Sequence, residues 1–79
     1  MNMTGEDIRL KTQLIVRKDG AYLSGLSLFI RWRGSPYDAW MTRNIEDARK
    51  VARKVGGELM LFNPIVGQLR KYGVKKDDS

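Results

Sequence analysis

The stretch Asn44–Gly57, NIEDARKVARKVGG, carries every signal of one short amphipathic helix together with both of its ends. Asn44 is a good N-cap, because its side-chain oxygen can accept from the first free backbone N–H groups. Glu46 and Asp47 place negative charge in the first turn, where the helix dipole favours it. Ile45, Ala48, Val51, Ala52 and Val55 recur at helical spacing and form one apolar stripe. Gly56-Gly57 stops the helix, the first glycine as a left-handed cap. A helix with one apolar stripe needs a surface to pack on, and the rest of the chain supplies strands.

From Ile8 the residues alternate. Ile8, Leu10, Thr12, Leu14 and Val16 fall on one side, and Arg9, Lys11, Gln13 and Arg17 on the other. That period of two predicts a half-buried strand. It ends at Lys18-Asp19-Gly20, where Asp-Gly signals a tight hairpin. The return strand starts near Ala21, and its later part alternates Leu26, Leu28, Ile30 and Trp32 against Ser27, Phe29, Arg31 and Arg33. A two-residue turn leaves the two halves of this return strand in conflicting registers. An extra residue at Ser24-Gly25 repairs the conflict, so a bulge is expected there.

Gly34-Ser35-Pro36 breaks that strand, and Tyr37–Thr42 predicts a third. Glu58–Phe62 predicts a fourth, after the helix. Asn63-Pro64 looks like a second helix start, with Ile65, Val66, Leu69 and Tyr72 on one face, although Gly67 weakens it by about 1 kcal/mol. The expected fold is α+β: a small antiparallel sheet in the order β-β-β-α-β, one amphipathic helix on one face, and a short C-terminal helix. One domain spans 1–79, with an ordered core over about 8–72 and flexible ends at 1–7 and 74–79.

Seventy-nine residues without a cysteine make a modest core with no disulfide support. Such a chain relies on tidy packing or on a partner subunit, so a homodimer stands beside a monomer as an expectation. No apolar run approaches the roughly 20 residues that span a bilayer. The N-terminus carries acids where a signal peptide carries cations. A cytoplasmic location, with no membrane partner, is expected.

The chain has neither histidine nor cysteine. That removes the usual base near neutral pH, the thiol nucleophile and the common zinc ligands. The acidic pairs Glu6-Asp7, Glu46-Asp47 and Asp77-Asp78 are adjacent in sequence, so neither a helix nor a strand brings each pair onto one face. Asp38 and Glu58, at expected strand ends, are the carboxylates most worth testing for metal-nuclease chemistry. But Met60 stands two residues after Glu58, where restriction-type nucleases carry lysine. No phosphate-cradling glycine loop is present. The chain is therefore expected not to be an enzyme and to use no metal or cofactor.

Fifteen Lys and Arg against nine Asp and Glu give a formal charge of +6. Surplus charge of this size aids solubility. It also favours an anionic macromolecule: nucleic acid, a nucleoprotein or an acidic protein face. Within the helix, Arg49 and Arg53 are four apart, and so are Lys50 and Lys54. All four therefore lie on the outer surface in two adjacent rows. Arg31, Arg33 and Arg43 add to the candidate surface. Phe29 falls among cations on the polar side of its strand, where an aromatic ring suits single-stranded nucleic acid or a protein partner. Trp32 continues the Leu28-Ile30 side and reads as core.

Two resemblances bear on function. The segment KDGAYLSGLSLFIRWRG…AWMTRNIEDARKVARK is similar in outline to the sheet-type DNA-binding domains of phage integrases and the AP2 group. Those lay a three-stranded sheet in the major groove, which implies Arg31, Arg33 and Phe29 as readers. The extra strand ELMLF departs from that pattern. AWMTRNIEDA…VGGELMLF, over about half the chain, resembles small accessory proteins of bacteriophages and prophages, among them anti-CRISPR proteins. That resemblance implies an inhibitor that binds a Cas nuclease or its guide-RNA complex inside a bacterial host cell. A DNA-binding regulator or recombination accessory is the second expectation. A structural or dimeric phage protein is the third.

Overall fold

The computed structural model describes residues 12–72. Five antiparallel strands form one sheet: β1 (Gln13–Lys18), β2 (Ala21–Gly25), β3 (Arg31–Arg33), β4 (Glu58–Asn63) and β5 (Gln68–Lys71). Their spatial order is β3-β2-β1-β4-β5. Among the described residues one α-helix, α1 (Ile45–Val55), packs across β1 and β4, and a 3₁₀ turn covers Pro36–Asp38. The fold is α+β, with an antiparallel sheet and one helix on it, as the patterning predicts. The Ile8–Lys11 part of the expected first strand, and both expected flexible ends, lie outside the described residues.

The local signals hold. Asp19 and Gly20 have φ of 53° and 80°, both left-handed, and Lys18 pairs directly with Ala21. That is the two-residue turn whose twist matches the strands it joins. A register shift does fall between Leu23 and Gly25, at the expected position, but in the β2–β3 ladder and not in the β1–β2 pairing for which the bulge was expected. Asn44 Oδ1 accepts from the N–H groups of Glu46 and Asp47, and Gly56 closes α1 at φ 73°.

Three expectations are corrected. The return strand does not run on to Arg33. It ends at Gly25, and Arg31–Arg33 folds back along it with Leu23 opposite Trp32. The chain at Trp40–Thr42 has taken the edge of β1 that a longer β2 would have used. Leu14 and Thr42 exchange both backbone hydrogen bonds, at 2.7 and 3.1 Å, and Trp40 N–H donates to the Leu23 carbonyl at 2.7 Å. The expected third strand at Tyr37–Thr42 is thus a 3₁₀ turn followed by one bridge. Its alternation still operates: Ala39 and Met41 pack on one side of the sheet and Trp40 on the other.

The expected C-terminal helix is a strand. Asn63 Oδ1 accepts from Ile65 and Val66 N–H, and Gly67 N–H donates to the Asn63 carbonyl, so one helical turn begins as read. Gly67 then adopts φ 71° and reverses the chain. β5 pairs with β4 from Asn63↔Gln68 to Met60↔Lys71. An isolated helix this short is marginal in water, whereas the open edge of β4 offers a ladder.

The core has two layers. Val16, Leu23, Ala52 and Val55 form the helix-side cluster, joined by Trp32, Trp40, Val51 and Leu59. Ile15, Tyr22, Met60 and Phe62 form the other, covered by Ala39, Met41 and Leu69. β1 is buried on both faces at its centre, because the Tyr37–Met41 segment crosses the face that α1 leaves open. Among the described residues no helix is long and apolar enough to cross a membrane.

Candidate anion-docking surface

α1 presents its cations as its wheel requires. Ala48, Ala52 and Val55 are buried against the sheet, and Arg49, Lys50, Arg53 and Lys54 are exposed. Among the described residues the one ion pair is Arg17–Glu58, at 3.1 Å. None of the four helix cations is therefore matched there by a carboxylate. Arg53 and Lys54 also lie in the last turn, where positive charge stabilises the helix dipole.

Arg31 and Arg33 do not join that quartet. Arg33 pairs with Tyr22, which belongs to the cluster on the side away from α1. Trp32, between the two arginines, packs into the helix-side cluster. Strand alternation therefore aims Arg31 and Arg33 away from the helix. Arg43 sits just before α1, at the rim of a shallow cleft of about 400 Å³ lined also by Leu14, Ile45, Leu61 and Tyr72. Phe29 is not on a strand. It lies in the β2–β3 loop and is 71% exposed. The eight candidate residues thus fall into three places: the helix exterior, the far side of the β3 edge, and loops at one end of the sheet.

Leu28 and Ile30, read as core, are exposed in the same loop as Phe29. The loop explains the error, since period-two alternation has no meaning once the strand has ended. Sequence reasoning also missed Arg17. Its guanidinium is raised above its ordinary pKa, first by a side-chain hydrogen bond with Tyr22 and then, against some desolvation, by the charge of Glu58. The direct register Arg17↔Glu58 and Arg17↔Tyr22 brings the three together. Glu58 is thereby engaged by an arginine, and Asp38 lies in the 3₁₀ turn rather than at a strand end. No group of three or more acidic residues able to hold a metal ion occurs among the described residues.

Compared with protein-family models, with curated proteins and with solved structures, the chain matches none.

Proposed function

We propose that this protein is a non-enzymatic module that docks an anionic macromolecular surface with the outer face of α1. The observation that carries this reading is the quartet Arg49, Lys50, Arg53 and Lys54, exposed on a well-capped helix and unmatched by carboxylates among the described residues. A rigid helix fixes the spacing of the four Cα atoms, so no backbone ordering is added to the cost of binding. In the setting that the phage-type resemblance implies, the partner is a host nucleic-acid-handling complex. Its sharpest form is a Cas nuclease with its guide RNA, which this protein inhibits by occupying the guide or an acidic face.

A second reading is favoured by one observation: Arg31 and Arg33 point to the side of the sheet away from α1, as a sheet-type DNA reader requires. The Tyr37–Met41 segment crosses part of that side, which argues against a flat approach to the groove.

The test is a salt titration of binding to labelled duplex DNA, single-stranded RNA and a purified Cas–guide complex. R49Q/K50Q/R53Q/K54Q should keep the fold and lower the log–log salt slope by about 3 to 4. Capture of the complex with weak affinity for bare nucleic acid supports the inhibitor. Steep salt-dependent binding of bare DNA that instead needs Arg31 and Arg33 supports the sheet reader. Unchanged binding by the quadruple variant, or no binding to any of the three probes, would overturn the docking role of α1.

A further inference from the structure

α1 lies across β1 and β4, and beside it, toward β5, runs the shallow cleft of about 400 Å³. Its floor is Leu14 and Leu61, direct partners in the β1–β4 ladder. Ile45 of α1 forms one wall, and Tyr72, just past β5, forms the other. Helical geometry decides which cations border it. Arg49 follows Ile45 by four residues and so stands on the same flank of α1. Arg53 continues that row roughly 6 Å further along the axis. Lys50 and Lys54 are each turned about 100° away from it. The arginine row is therefore the one beside the cleft.

The strand wall carries the same chemistry. Arg70 pairs directly with Leu61, and Tyr72 N–H donates to the Leu59 carbonyl at 3.2 Å. Leu59 packs in the helix-side cluster, so alternation sends Arg70 and Tyr72 out on the helix side too. Arg43 stands at the mouth. Arg43, Arg49, Arg53 and Arg70 are exposed, and Tyr72 is half-buried. Among the described residues no carboxylate pairs with any of these four arginines. The helical wheel turns Glu46 to the outer face of α1 and Asp47 to its opposite flank. Glu58 is engaged by Arg17 in the row of Tyr22, on the other side of the sheet.

We propose that this cleft takes an unpaired base of a single-stranded nucleic acid, stacked on Tyr72 above the leucine floor, with the arginines on both walls meeting the flanking phosphates. The proposal rests on the reading of α1 as an anion-docking face and names the form of anion that face takes. The volume lies within the range of about 300–1,000 Å³ usual for small-ligand sites. A cationic groove with an aromatic ring in it is what single strands use, because every base has a face to stack. Guanidinium groups add a planar fork for phosphate and a flat face for a base, which lysine lacks. A duplex keeps its bases stacked on one another, so it can touch the exposed cations but cannot reach Leu61 or Tyr72 between them. An acidic peptide is disfavoured by the sheet itself. β4 is paired by β1 and β5, and β1 by β4 on one edge and by β2 and Thr42 on the other. No ladder is open in the cleft floor for a peptide strand to join.

The test is fluorescence anisotropy of the full chain with short labelled oligouridine, oligothymidine and a duplex of equal length. Tyr72→Leu should weaken binding of the single strands by roughly 5- to 100-fold, the usual loss for one stacked base, and leave the duplex unchanged. R43Q/R70Q, outside the helix quartet, should lower the single-strand log–log salt slope by about 1.4. Far-UV circular dichroism checks that each variant folds. A readout on the unaltered chain is photocrosslinking to 5-iodouridine oligonucleotide, with the adduct expected on Tyr72. An adduct confined to Phe29 or the tryptophans overturns the proposal. So does equal weakening of single strand and duplex by Tyr72→Leu. Binding that ignores Tyr72→Leu but is lost in R49Q/K50Q/R53Q/K54Q overturns the cleft and leaves the docking role of α1 standing. Binding of neither nucleic acid, while the Cas–guide complex is captured through α1, separates the two in the same way. A Glu/Leu peptide bound through Tyr72 in place of the oligonucleotides would assign the cleft to a protein partner and overturn it as well.

Discussion

Lys18 Nζ donates a hydrogen bond of 3.1 Å to the carbonyl of Val55, joining the first hairpin turn to the last residue of α1 across 37 positions of sequence. The bond satisfies one of the carbonyls that a helix end leaves without a partner, and it sets a positive charge at the negative end of the helix dipole. Lys18→Met should cost about 0.5–1 kcal/mol in urea unfolding, with part of that loss recovered by Lys18→Arg.

Gly57 lies where α1 turns into β4, and there is no room beside it. A Cβ there would stand 2.6 Å from Val16 Cγ1 and 3.0 Å from the Arg17 carbonyl oxygen. Val16 is fully buried and cannot retreat. Gly57→Ala should therefore destabilise by roughly 1–3 kcal/mol, as overpacking does. Gly34 is the control. A Cβ there meets nothing within 4 Å, so Gly34→Ala should lie within about 0.5 kcal/mol of the parent. Equal effects of the two substitutions on the thermal midpoint would contradict the close approach.

Asn63 is the buried polar side chain of the described core, at 0% exposure. Its Oδ1 accepts from Ile65 and Val66 N–H at 2.9 and 3.4 Å, and its Nδ2 donates to Thr12 Oγ1 at 3.3 Å. It ties the β4–β5 turn to the entry of β1. Asn63→Leu, similar in size but without donors or acceptors, should cost about 1–3 kcal/mol for the turn amides left unsatisfied. Amide exchange should accelerate first in β5, whose connection to β4 the side chain organises.

Leu23 and Leu28 separate burial from pattern. Leu23 is fully buried between β2 and the helix side, and Leu28 is 86% exposed. Leu23→Ala should cost about 2–5 kcal/mol. Leu28→Ser should leave unfolding within about 0.5 kcal/mol of the parent. A large loss from Leu28→Ser would mean that the loop packs onto the domain.

The Arg17–Glu58 pair is half open to solvent, with the two side chains 32% and 44% exposed. Its contribution should be small and should shrink with added salt, because solvent screens the pair. A double-mutant cycle of Arg17→Met and Glu58→Gln at low and high salt measures it.

How much was legible in the chain follows from how far each signal reaches. The Asn44 cap, the Gly56 stop, the Asp19-Gly20 turn and the extra residue at Ser24-Gly25 act over a few positions, and each stands where the sequence places it. The outward rows Arg49/Arg53 and Lys50/Lys54 follow from the same local geometry. An α+β fold with one helix on an antiparallel sheet was therefore determined by the sequence pattern alone. Only the tertiary structure decided which edge each strand takes. Trp40–Thr42 claims the edge of β1 beside Leu14, so the chain after Gly25 folds back and leaves Leu28, Phe29 and Ile30 in a loop. The open edge of β4 draws Gln68–Lys71 into a strand although Asn63-Pro64 begins a helical turn. Period-two alternation states that a segment has two sides. It does not state which neighbour it will meet, because that choice is a competition among backbone ladders formed by residues far apart in the chain.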